Sequence, residues 1–101
     1  MKQIEIEVPA TGNLTDVDEA IEQAAEAAGL RTTLRGGLTE YPGATHWHFK
    51  HGSESGALEI TWWPREMRLW LSVHDNRDAH WIEPAMRGIQ QALNAHLRAI
   101  K

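Results

Sequence analysis

From residue 45 to residue 73 the chain alternates apolar and polar side chains almost without a break, and no other feature constrains its fold so tightly. Residues 45–50 place Trp47 and Phe49 on one side and His46, His48 and Lys50 on the other. Residues 57–63 set Leu58, Ile60 and Trp62 against Ala57, Glu59, Thr61 and Trp63, and residues 67–73 set Leu69, Leu71 and Val73 against Arg68, Trp70 and Ser72. A period of two is the signature of half-buried strands. A segment with two glycines, 51–56, separates the first pair, and Pro64 stops the second strand, so the three read as an antiparallel meander.

A slip of one residue would turn every side chain to the opposite face, so matching the apolar faces sets the register. Phe49 should pair with Leu58 and Trp47 with Ile60, which puts His48 opposite Glu59 and His46 opposite Thr61. In the second hairpin Trp62 should pair with Leu69 and Ile60 with Leu71. Glu59 then faces Ser72, Thr61 faces Trp70, and Trp63 faces Arg68.

The flanking segments complete the fold class. Residues 3–8 alternate, with Ile4, Ile6 and Val8 on one face, and Pro9 ends the strand. Thr15 followed by Asp18 resembles a capping box, and Val17, Ala20, Ile21, Ala24 and Ala28 form a helical stripe that Gly29 terminates. Residues 30–35 predict a second strand, with Leu30, Thr32 and Leu34 sharing a face. Gly36-Gly37 is expected to break it and to open a loop running to Ala44, with Tyr41-Pro42-Gly43 as turn chemistry. Near the C-terminus, Ile82, Ala85, Met86, Ile89, Leu93, Leu97 and Ile100 recur at helical spacing after Asp78, an expected N-cap. The order β-α-β-β-β-β-α predicts one α+β domain over residues 1–101. Its five-stranded sheet is antiparallel or mixed, with both helices on one face. The placement of the first two strands is left open.

Composition narrows the function. A formal charge of −4 lacks the basic field of a phosphate-backbone binder, so no nucleic-acid partner is expected. Cysteine is absent, which removes disulfides, thiolate metal sites and a thiol nucleophile. No apolar run suits a signal peptide or a membrane span, so a cytoplasmic protein without a membrane partner is the expectation.

The face turned away from the helices is where function is sought. It carries His46, His48, Lys50, Glu59, Thr61, Trp63, Arg68, Trp70 and Ser72, with His74 expected at its end, a composition unusual for a solvated surface that suggests something covers it. Trp63, Arg68 and Trp70, with His46 and His48, read as an anchor for a partner chain or a ligand; the alternative for Arg68 is a plain cation–π contact with Trp63. His46 and His48 project the same way from one strand, a spacing that zinc sites use, and Glu59 offers a third ligand. Against this, a flat sheet has no wall to shield a tetrahedral ion, and His74 lies too many strands away to join. The row His48–Glu59–Ser72 is not a catalytic triad, because the carboxylate rather than the imidazole would stand in the middle. His51, His80 and His96 read as scattered surface residues.

The first functional expectation is a non-enzymatic binding or protein-interaction module without a cofactor, its open sheet face taking a protein partner or closing a homodimer. The alternative is a small metal-binding protein or metal-dependent enzyme in which His46, His48 and Glu59 hold zinc or a similar divalent ion. A third is a small-ligand pocket between residues 36–44 and the sheet. Enzymatic activity is left undecided.

Overall fold

The computed structural model describes residues 2–99. Its elements are strand β1 (Lys2–Ile6), helix α1 (Val17–Ala27), strands β2 (Arg31–Leu38), β3 (Tyr41–Lys50), β4 (Leu58–Trp63) and β5 (Arg68–Val73), and helix α2 (Ile82–Arg98). The sheet runs β1-β5-β4-β3-β2, and every neighbouring pair is antiparallel. The expected α+β fold is present, and the first two strands take opposite edges. Among the described residues no helix is long and apolar enough to cross a membrane.

The meander has the register that its apolar faces demand. Phe49 pairs with Leu58, Trp47 with Ile60, Ile60 with Leu71 and Trp62 with Leu69. One face of these strands meets α1 and α2. Trp47, Phe49, Leu58, Ile60, Leu69 and Leu71 are fully buried there, with Ile21 of α1 and Ile82, Met86 and Ile89 of α2.

Helix α1 buries Val17, Ile21, Ala24 and Ala25. It ends in a Schellman arrangement. Gly29, at φ 82°, donates to the carbonyl of Glu26, and Leu30 donates to that of Ala25. A left-handed residue is needed there, and glycine supplies it without a Cβ clash. Asp18, the expected capping-box acid, pairs with Arg35 of β2 at 2.9 Å, and the cap position falls to Asp16, which makes no side-chain cap hydrogen bond. Helix α2 starts at Ile82 with Pro84 in its first turn, where a missing N–H costs nothing. The Asp78 carboxylate accepts from the Ala79 N–H, ahead of the regular helix. Ile100, the last residue of the expected stripe, lies outside the described residues.

Strand β2 departs from the expectation. It does not stop at Gly36-Gly37 but runs to Leu38 and turns through Thr39-Glu40 directly into β3, so the long loop is instead a hairpin. Two irregularities interrupt its ladder. Thr32 pairs with Phe49 but Leu34 pairs with His48, so an extra residue at Thr33 turns Leu34 to the face opposite Thr32. Arg35 consequently lies on the helix side, where it reaches Asp18 and Glu22 and stacks on Trp47. Farther on, Gly36 pairs with His46 and Leu38 with Tyr41, which leaves Gly37 alone against residues 42–45. The mismatch bends the hairpin tip over the sheet face that the helices leave open.

Candidate functional site

The central strand β4 is buried on both sides. Leu58, Ile60 and Trp62 face the helices, whereas Glu59 and Thr61 point the other way and are only 9% and 1% exposed. The bent tip of β2–β3 accounts for this. Tyr41 packs its ring on Trp63 at 5.0 Å and edge-on against Trp70 at 5.3 Å. The Trp63 indole N–H donates to the Pro42 carbonyl at 2.9 Å. Trp70, expected to be exposed, is therefore 6% exposed, and Trp63 is half-buried.

Between the tip and the sheet lies a cavity of about 610 Å3. Leu34, Leu38 and Tyr41 supply its upper wall, and Trp70, Thr61 and Ser72 part of its floor. Four ionisable side chains converge at one end, three from a sheet position that alternation alone predicts. His46 Nε2 is 3.1 Å from Glu59 Oε1 and 3.1 Å from His48 Nε2, and His48 Nε2 is 3.7 Å from the same carboxylate oxygen. His46 Nδ1 is 2.7 Å from the Thr61 hydroxyl. The candidate metal ligands His46, His48 and Glu59 are thus together, with one ligand atom of each within 4.8 Å of the others.

His74 stays outside this group of three, as its strand position predicts, but it meets the carboxylate from behind: its Nε2 is 3.3 Å from Glu59 Oε2. Ser72 pairs with Glu59 on the adjacent strand, and His74, two residues farther on, continues the extended backbone just past the end of β5, so the diagonal is short.

Burial drives the His46 imidazole pKa below its ordinary value of 6.5, and the neighbouring His48 and His74 push the same way, while the Glu59 carboxylate opposes them. No Lys or Arg lines the cavity among the described residues, whereas Glu40 and Glu59 do. No buried side-chain nitrogen or oxygen among these residues lacks a hydrogen-bond partner.

Arg68 does not stack on Trp63 as expected. Its guanidinium lies over Trp70 at 4.6 Å and grips Glu5 of β1 through two hydrogen bonds of 3.0 and 2.8 Å. It braces the outside of the floor and does not line the cavity. Leu38 and Tyr41 lie in the stretch 36–44 expected to wall a pocket, whereas Leu34 lies outside it. Tyr41 stands in a triplet with ordinary turn chemistry, and the bulge that redirects Leu34 leaves no mark in the alternation of Leu30, Thr32 and Leu34.

A second histidine group lies at the start of α2. Glu54 joins His51 and His80, and the His51 ring stacks on Trp81 at 5.7 Å. Its imidazoles are 41% and 82% exposed, unlike His46. Family models, curated proteins and solved structures were all compared with this chain, and none matches it.

Proposed function

We propose that the protein is a small-ligand-binding module whose site is the cavity between the β2–β3 tip and the sheet. The cavity's size carries this reading. Its volume of about 610 Å3 falls in the range of roughly 300–1,000 Å3 typical of small-molecule sites. Its walls combine apolar surface from Leu34, Leu38, Tyr41 and Trp70 with a few convergent polar groups, the mixture that orients a ligand while burying its body. With two acids and no Lys or Arg among the described residues that line it, the bare pocket favours a neutral ligand with an aromatic or apolar body over an anion. The same tip weakens the case for a flat protein interface or a homodimer across this face, because it already occupies the tryptophans that would anchor one.

Benzimidazole is a suitable probe, titrated into 15N-labelled protein in the presence of a chelator. Saturable shifts should appear at the Trp70 indole N–H and at the amides of Leu34 and Tyr41. A Cβ at Gly37 would meet nothing closer than the Ala44 carbonyl oxygen at 3.8 Å, so Gly37→Val should narrow the pocket and weaken the response without unfolding the chain. Shifts confined to the Trp81 region, or none at all, would refute the reading.

A further inference from the structure

We propose that His46 Nε2, His48 Nε2 and Glu59 Oε1 hold one divalent transition-metal ion of the zinc class, with a further coordination position open to the cavity. The inference rests on the small-ligand reading in one respect: the cavity's ligand would then carry a nitrogen or oxygen donor that completes the ion's shell.

The first support is the spacing of the three atoms. A tetrahedral ion with bonds of about 2.0–2.1 Å has ligand-to-ligand edges of about 3.3–3.4 Å. Here the three edges are 3.1, 3.1 and 3.7 Å. The atoms thus outline one face of such a tetrahedron. Hydrogen bonding alone serves this triangle poorly. A single proton on His46 Nε2 points at either the carboxylate or the second imidazole, whereas a cation meets all three lone pairs at once.

The second support is the set of groups behind the ligands. Thr61 Oγ1 accepts from His46 Nδ1 when that nitrogen carries the proton, which leaves Nε2 bare for a metal. His74 Nε2 stands 3.3 Å from Glu59 Oε2, so the carboxylate is oriented to offer Oε1 as a single donor. Histidine ligands and carboxylates in metal sites ordinarily have such outer partners.

The third support is shelter. A flat sheet could not shield an ion, but the β2–β3 tip supplies the missing wall, and His46 is 8% exposed. Two imidazoles and one carboxylate suit zinc, cobalt, nickel or copper, and not magnesium or calcium, which prefer oxygen cages. A divalent ion on this set leaves one net positive charge, which offsets the acidic character of the pocket. Three protein ligands with one position free is the arrangement of zinc sites that bind water or a ligand in exchange.

Metal-stripped protein titrated with Co2+ should bind one ion per chain. It should show the intense visible bands of four-coordinate cobalt, and Zn2+ should erase them. His48→Ala should abolish this, and Glu59→Gln provides a near-isosteric second test should the alanine variant fold poorly. His74→Ala should keep the stoichiometry and weaken binding about 10–100-fold. A His51→Ala, His80→Ala double variant should bind as the parent does. Benzimidazole added to the cobalt form should move the bands. Unsaturable binding, or binding indifferent to His48→Ala and Glu59→Gln, would overturn the metal site. If benzimidazole still shifts the chelator-treated protein, that result leaves the pocket reading standing. Bands unmoved by benzimidazole would overturn the open position.

Discussion

The two faces of strand β4 are buried to nearly the same degree and are built from opposite materials. Toward the helices, Leu58 and Ile60 are fully buried among other apolar side chains. Toward the hairpin tip, Glu59 and Thr61 are almost as enclosed, yet each has polar partners. The first face contributes by transferring apolar surface out of water. The second must satisfy every polar group that it encloses, since an unpaired one there costs more than a made hydrogen bond returns. Equal burial therefore means stability on one side and chemical capacity on the other.

Breaking the apolar face should have the largest effect. Ile60→Ala removes a side chain from the middle of the core and should cost about 2–5 kcal/mol in urea unfolding. Thr61→Val tests the other face. It adds apolar surface, yet it should destabilise by about 1–3 kcal/mol, because His46 Nδ1 loses its hydroxyl partner. A neutral or stabilising result would show that the polar face tolerates apolar replacement as the core does.

Acidity should separate the faces further. His46 has a folded-state pKa below its ordinary 6.5, so in metal-free protein the unfolded chain takes up a proton before the folded one does. Stability should be unaffected by this group well above pH 6.5 and should fall as the pH drops below that value toward the depressed folded pKa. Urea midpoints measured across that window should slope less in His46→Gln. The smallest effect is expected at the edge of the floor. Arg68→Lys keeps the charge but gives up the two-pronged hold on Glu5 and the stacking on Trp70, and should lower the melting temperature only slightly.

The meander was legible from the sequence down to its register, because an apolar face that must be buried leaves one pairing for Trp47, Phe49, Ile60 and Leu71. That register also puts His46, His48 and Glu59 at neighbouring positions on one face. Alternation reports which side a residue faces, but it does not report what covers that side. Hence alternation leaves Trp70 in the open, and Gly36-Gly37 and Tyr41-Pro42-Gly43 predict a loop where the tip that buries Trp70 stands. The bulges in β2 depend on how an edge strand fits its neighbour and its cover, and neither is written in its own alternation. His74 stays outside the group of His46, His48 and Glu59, as its strand position predicts, yet it reaches Glu59 along the diagonal.

The unequal lengths of the two sides of the β2–β3 hairpin have a consequence for how such a site could diversify. One residue, Gly37, stands against residues 42–45, so the ladder that positions His46 and His48 is uncoupled from the turn that roofs them. Below the mismatch, any shift of a single residue would reverse the polar and apolar faces. Above it, Thr39 and Glu40 could be exchanged, lengthened or shortened at little thermodynamic cost, as surface turns generally can. The stretch that holds His46 and His48 in register is thereby separated from Thr39 and Glu40, so the one is fixed by pairing while the other is free to vary.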